Sequence, residues 1–424
     1  MNPFQYKNRE LHADDVSLKT LADAVGTPFY CYSETAIIHQ FNAYLSAFAE
    51  QDAGICYAIK ANDNLAVLRA LAECGAGADV VSGGELKKAL AAGIPADRII
   101  FSGVGKTSEE LHMALDNGIM QVNVESFPEM EALSEIAAAS GKTMEIAIRV
   151  NPNIDAKTHK KISTGRKQDK FGIDINKAQE AYRRAVDLPG IDPASLAVHI
   201  GSQLTSLEPF REAFVRVATL VGELRESGHD IRRIDLGGGL GIDYDGTPPP
   251  TPAAYAEMVK ESVGGLGCQI LLEPGRNIVG NAGVLVTRVI YIKEGEDRDF
   301  IIVDAAMNDL IRPALYDAHH EIRPVKEVSD AVKLQSVDVV GPICETGDTF
   351  TRERKLPPLV AGDLLVIDSA GAYAAVMAST YNARPILTEV MVRQNQYSII
   401  HARQSIEDMM RAESFADWQS PAAL

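Results

Sequence analysis

The chain has 424 residues, 46% of them hydrophobic and 23% charged, with a formal net charge of -17. That length exceeds what one core ordinarily supports, so two domains are expected. The acidic balance speaks against nucleic-acid binding and no apolar run approaches membrane-spanning length, so a cytoplasmic chain with neither nucleic-acid nor membrane partners is expected.

In chain order, short β-rich runs cover 54–59, 78–82, 98–103, 120–125, 144–150, 196–200, 232–236 and 269–272. Amphipathic Ala/Leu/Glu-rich stretches lie between them, as at 84–92, 108–117, 127–140 and 208–228. Eight strands alternating with helices predict a (β/α)8 TIM-type barrel over 36–286, with a doubly wound open sheet as the competing arrangement. A barrel makes a sharp demand, because its functional residues sit just after strands. Lys60 follows the first run, His199 ends the sixth, Gly237–Gly239 follow the seventh and Glu273–Arg276 follow the eighth. The connection 151–172 is long and basic, carrying Lys157, Lys160, Lys161, Arg166, Lys167 and Lys170. At the rim of an acidic chain, such a loop is expected to meet an anionic substrate. Beyond about 287 the pattern changes to strand-like runs at 288–293, 300–304, 334–341, 363–367 and 389–394. These predict a β-sandwich or barrel-like domain over 287–424, joined by 1–35, whose run at 29–32 lends it a strand.

The five cysteines (Cys31, Cys56, Cys74, Cys268 and Cys344) are odd in number and lack CxxC spacing, which argues against a disulfide framework and a zinc site. Four read as core filler, and Cys344 does not. Lys60 closes the apolar run of Tyr57-Ala58-Ile59-Lys60-Ala61-Asn62. A desolvated amine there can form a Schiff base with an aldehyde cofactor, although alone it reads as an ordinary strand-end lysine. The run Gly237-Gly238-Gly239-Leu240-Gly241 lets backbone N–H groups approach a phosphate. Gly103-Val104-Gly105-Lys106-Thr107 imitates a P-loop but has Ile100 where that motif needs glycine. In Glu273-Pro274-Gly275-Arg276, a carboxylate at a strand end can keep a pyridine nitrogen protonated. His199 reads either as a core histidine or as a ring stacked on a planar cofactor, with Ser202 reaching the phosphate.

YAIKAN (57–62), HIGSQ (199–203), DLGGGLG (235–241), EPGR (273–276) and GPICET (341–346), in this order, resemble the fold-type III pyridoxal-phosphate decarboxylases. The resemblance runs from about Thr27 to Tyr381. It implies pyridoxal 5'-phosphate as cofactor, Lys60 as the Schiff-base lysine and His199 on the cofactor face. It also implies cofactor contacts from Asp79, Ser202, Gly238, Gly239, Glu273, Gly275, Arg276 and Tyr373, with Glu273 at the pyridine nitrogen and Tyr373 also touching substrate. Cys344 matches the family's proton donor and Glu345 a substrate contact. In the family this pair comes from the second subunit, which implies an obligate homodimer with shared sites. Thr346 stands where serine is expected, and the hydroxyl is kept.

The segment 307–316 bears on the substrate. Arg312 and Tyr316 are four apart and share a helical face, with Pro313 suited to a first turn. Arg276 and Arg312 form an anion-binding pair suited to a distal carboxylate, and Glu345 can hold a distal ammonium. Ornithine or lysine would present a bare ammonium to these guanidiniums. The resemblance then implies decarboxylation of meso-2,6-diaminopimelate to L-lysine and CO2, the last step of lysine biosynthesis. A polyamine-pathway decarboxylase, an amino-acid racemase and a non-catalytic homologue stay open as alternatives.

Overall fold

A computed structural model describes residues 2–155, 164–165, 168–329 and 331–419. The chain folds as two compact units, one comprising Glu34–Ala282 with Gly371–Tyr373, the other Pro3–Ser33, Gly283–Ala370 and the residues from Ala374 onward.

The first unit is a closed parallel barrel. Its strands are Ala53–Ala58, Gly77–Val80, Ile99–Phe101, Gln121–Val124, Met144–Asn151, Ile191–Val198, Arg233–Asp235 and Gln269–Leu272. Each pairs with the next, and the eighth returns to the first through Ile270↔Ala53, so the open-sheet alternative is excluded. The second, third and fourth strands are buried at every residue, as expected of strands covered on both faces. The sixth strand begins five residues before the predicted run. Pro193 reads as a turn, but it falls where the register shifts between Asp192 and Ser195, a place where a missing N–H costs little. That strand ends at Val198, so His199 leaves the sheet rather than closing it.

The surrounding helices carry their own start signals. Ser108–Asn117 has a capping box, in which Thr107 Oγ1 accepts from the Glu110 amide at 3.2 Å and the Glu110 carboxylate accepts from the Thr107 amide at 2.9 Å. Phe127–Ala139 starts at Ser126, with proline in its first turn. Glu208–Glu226 and Pro252–Val263 bury Phe210, Phe214 and Tyr255, and Tyr255 meets Phe210 edge-on with ring centroids 5.1 Å apart. Each such ring contributes roughly 1.5–3 kcal/mol through burial.

In the second unit one long strand, Gly283–Lys293, serves three partners: Phe29–Ser33, Leu364–Ile367 and Asp299–Val303. The sheet extends through Gln335–Val340 to Thr349–Leu356 on one side. On the other it extends from Phe29–Ser33 through Thr388–Arg393 to Gln396–His401. The sequence reading missed Thr349–Leu356, Gln396–His401 and a small N-terminal sheet, Phe4–Lys7, Glu10–Ala13 and Val16–Ser17. Thr349–Leu356 reads TFTRERKL and Gln396–His401 is almost wholly exposed, so neither edge strand shows an apolar run.

All five cysteines are free. Cys31 and Cys56 are buried, but Cys74 and Cys268 are only partly covered, which corrects their reading as core filler. Among the described residues no helix is long and apolar enough to cross a membrane. Of the basic connection, Lys157, Lys160, Lys161, Arg166 and Lys167 lie outside the described residues. Lys170 rests 5.3 Å from the ring centroid of Phe171, and Arg149 lies 5.0 Å from the same ring.

Candidate active site

Lys60 stands in the single helical turn Ile59–Ala61 that follows the first barrel strand. Its ammonium donates to Asp79 Oδ2 on the second strand. Asp79 is fully buried, and its Oδ1 has no hydrogen-bond partner among the described residues. Burial disfavours the charge on Lys60, but the Asp79 carboxylate in contact with it outweighs that and raises the pKa above that of an ordinary lysine. Desolvation alone would have pushed it the other way. In the ligand-free chain Lys60 is thus a clamped ammonium.

His199 follows the sixth strand, and its Nδ1 accepts the Gly238 amide at 3.2 Å. Burial first, then the cations Arg149 and Lys60, push its pKa well down. The ring is therefore neutral, with its proton on Nε2, a form suited to stacking. HIGSQ and DLGGGLG prove to be one piece of structure. The Gln203 side-chain amide donates to the Ile242 carbonyl at 2.7 Å and accepts from the Ile242 amide at 3.1 Å. A Cβ on Gly238 would collide with the Glu273 carbonyl oxygen, and Gly239 has φ 118°. Glycine is required at both positions.

Arg276 opens the short helix Arg276–Val279 directly after Gly275. It donates to Ser202 Oγ from Nε at 3.3 Å and from Nη2 at 3.1 Å, and to the Tyr244 hydroxyl at 2.7 Å. Its guanidinium lies 4.6 Å from the ring centroid of Tyr373. Tyr373 reaches the barrel unit because its amide donates to the Ala61 carbonyl at 2.8 Å and Asn62 Nδ2 donates to the Gly371 carbonyl at 3.2 Å. The asparagine of YAIKAN therefore holds a segment more than 300 residues further along the chain. Glu273 is 7% exposed, and burial together with Asp235 and Asp79 raises its pKa well above the carboxylate range.

The barrel unit thus gathers Lys60, Asp79, His199, Ser202, Gly238, Gly239, Glu273, Gly275, Arg276 and Tyr373. The remaining predicted residues belong to the β-rich unit. Arg312 starts the helix Arg312–Tyr316, is 6% exposed and donates from Nε to His320 Nε2 at 3.3 Å. His320 Nδ1 in turn donates to the Asp368 carbonyl at 2.8 Å. The guanidinium lies 5.8 Å from the Tyr316 ring centroid, as spacing by four predicts. Cys344 and Glu345 are exposed, and Tyr381 donates to Glu345 at 3.2 Å. Buried Asp348 fixes their loop by accepting the amides of Ile343 and Met307, each at 2.7 Å. Lys106, from the P-loop-like segment, is spent on Glu129 at 2.6 Å and on the Gly103 and Asn123 carbonyls.

Sequence reasoning missed Arg149, Tyr244, Asn123 and Asp235. Arg149 did leave a signal, since it interrupts the apolar stretch Ile146-Ala147-Ile148-Arg149-Val150.

The donor set fits pyridoxal phosphate: an amine, a neutral imidazole, a glycine run that admits no Cβ beside Ser202 and Arg276, and a carboxyl able to hold a proton. The unpartnered Asp79 oxygen is a further mark of a site built for a ligand. The pyridoxal binding domain of the pyridoxal-dependent decarboxylases matches residues 34–280, so fold and site together define this class, with pyridoxal 5'-phosphate as its cofactor. The chain is 46% identical to the diaminopimelate decarboxylase of Zymomonas mobilis, covering 99% of this chain and 100% of that one. To the Neisseria meningitidis serogroup A diaminopimelate decarboxylase it is 48% identical, over 95% and 98%. The crystal structure of Helicobacter pylori diaminopimelate decarboxylase complexed with L-lysine superposes with a TM-score of 0.90 at 43% identity, covering 93% of this chain and 98% of that one. The chain belongs to the diaminopimelate decarboxylase family.

Proposed function

We infer that this chain is a carboxy-lyase that converts meso-2,6-diaminopimelate to L-lysine and CO2, the last step of lysine biosynthesis. The observation that carries the substrate is Arg312, a buried guanidinium held in one orientation by a neutral histidine. Such a group suits a carboxylate and repels a bare ammonium.

The assignment divides the chain into a cofactor-binding barrel over 36–286 and a β-domain made of 1–35 and 287–424. When bound, pyridoxal phosphate supplies the electron sink for the pair left behind when the Cα–carboxylate bond breaks. Lys60 supplies the amine that holds the cofactor and yields to the substrate's amine. Asp79 keeps the Lys60 amine in place. His199 offers a neutral face to the ring, while Ser202, Gly238, Gly239, Gly275 and Arg276 take the phosphate side. Glu273 holds a proton for the ring nitrogen. Arg276 and Arg312 are each suited to a substrate carboxylate and Glu345 to the distal ammonium, with Tyr373 against Arg276 and Tyr316 against Arg312. Binding energy from that remote end orients the scissile bond. Cys344 delivers a proton to the carbon that has lost CO2. Its exposure, with that of Glu345, supports a homodimer in which each β-domain completes the other chain's site, and the acidic balance of the chain suits the cytoplasm.

The test is CO2 release over a panel of meso-diaminopimelate, ornithine, arginine, lysine and carboxynorspermidine. Release from meso-diaminopimelate alone is expected; faster turnover of any diamine precursor lacking the distal carboxylate would overturn the substrate assignment.

A further inference from the structure

A polar cluster inside the barrel backs Glu273, and its other members take no part in the steps above. Asp235 is 1% exposed at the end of the seventh strand, beside Asn123, Ser102 and Glu273 from the fourth strand, the third strand's exit and the eighth strand's exit. Asn123 Nδ2 donates to Asp235 Oδ2 at 2.7 Å and lies 3.5 Å from Glu273 Oε1. The amide's orientation is fixed from behind, since Asn123 Oδ1 accepts from Gln121 Nε2 at 2.7 Å, and Gln121 Oε1 accepts from Arg233 at 3.0 Å. Asp235 Oδ1 accepts the Gly237 amide at 2.9 Å. The Glu273 carboxyl hydrogen-bonds to Asp235 and accepts from Ser102 Oγ at 3.3 Å. Donors fix both Asp235 oxygens, so Asp235 takes the anionic place. Two carboxyl groups in contact in a dry interior do not both ionise, and the proton falls to Glu273. Other titratable groups facing the pair are Lys60, Asp79, Cys56 and Tyr255.

We propose that Asp235 is a positioning residue: through its contact with Glu273 it orients that carboxyl and keeps a proton on it for the cofactor's ring nitrogen. The proposal rests on the reading of Glu273 as the ring-nitrogen partner. The proton on Glu273 passes to the nitrogen lone pair and leaves Glu273 anionic; no other bond changes. Asp235 retains the proton in this pocket at neutral pH by adding a second negative charge.

The holoenzyme tests this with Asp235→Asn, the exchange Asn123→Asp with Asp235→Asn, and Glu273→Gln as reference. Asp235→Asn should lower kcat by about ten- to a hundredfold with KM changed less than about threefold. The pH midpoint of the bound cofactor's absorbance change should also fall by about one unit. The exchange puts the carboxylate where Asn123 Nδ2 now approaches Glu273 and keeps the hydrogen bond between strands. It should therefore return the midpoint and most of kcat, and it decides the matter if Asp235→Asn alone fails to fold. A restored Tm without a restored midpoint would overturn the proposal, as would an Asp235→Asn variant that loses Tm while its spectrum and kcat stay unchanged. Glu273→Gln separates the two levels. If it leaves the spectrum untouched, the ring-nitrogen reading fails; if it alters the spectrum while Asp235→Asn does not, only the role of Asp235 fails.

Discussion

In the barrel unit Lys60, Arg276 and His199 are each held by a neighbouring group before any ligand arrives. Asp79 clamps Lys60, Ser202 and Tyr244 hold Arg276, and the Gly238 amide fixes His199. The β-rich unit differs within itself. Arg312 is buried and oriented, whereas Cys344 and Glu345 lie exposed on a loop whose backbone, rather than their side chains, is fixed by Asp348. The contrast separates two tasks. On the proposed function, the residues assigned to the cofactor are preorganised inside the barrel unit, while those assigned to proton delivery and ammonium recognition stand outward on a stiff loop.

The strongest way to break this division is Lys60→Ala. Turnover should fall by about a thousandfold or more, with loss of the visible band of lysine-bound cofactor, read by CO2 release and absorbance. Retained absorbance and turnover would sink the assignment. Cys344→Ala should reduce kcat by about a hundredfold and leave the absorbance intact, because the thiol is exposed and bonds to none of the described barrel residues. Mixing the two inactive variants sharpens the contrast. If each site draws on two chains, a hybrid dimer has one intact site of two and half the dimers of an equimolar mixture are hybrids, so the mixture should recover about a quarter of full activity, whereas no recovery would confine the site to one chain.

Arg312→Ala comes next, with kcat/KM for meso-diaminopimelate falling by about ten- to a hundredfold, the worth of one charge-assisted hydrogen bond. Arg312→Lys should recover little. It keeps the charge but loses the planar fork and the Nε bond that His320 uses to aim it. An unchanged kcat/KM in either variant would remove the observation on which the substrate rests.

The barrel was legible because its strands are buried on both faces and read as apolar runs, and because Lys60, His199, Gly238 and Glu273 follow strand ends as a barrel requires. Arg312 and Tyr316 were legible from their spacing. What escaped was whatever depends on pairing between distant segments. Nothing near Lys60 announces that Asn62 holds Gly371, or that Asp79 reverses the effect of burial on the lysine. Asp235 has no signal of its own, since it lies among charges at 232–233 and at the head of DLGGGLG, whose glycines alone account for a turn. Thr349–Leu356 was invisible because an edge strand with one exposed face needs no apolar run.

The smallest predicted effect measures how dry the barrel half is. Glu85, in the first turn of Gly83–Ala91, accepts the Val81 amide at 2.8 Å. Burial, aided by Asp79 and opposed by that amide and Lys60, pushes its pKa up to about 7. The folded chain therefore holds a proton on Glu85 that the unfolded chain releases near the ordinary glutamate value of about 4.3. Stability from this group is present at low pH, declines as pH rises through that interval, and is lost above about 7. Glu85→Gln keeps an acceptor for Val81 and cannot ionise. Its holoenzyme should melt with the unaltered one at pH 4.5 and about 2 °C or more above it at pH 8. Equal melting at both values would mean that water reaches Glu85 freely. In that case the dry surroundings that keep His199 neutral and Glu273 protonated do not extend as far as Asp79, and the barrel half is less preorganised than its hydrogen bonds suggest.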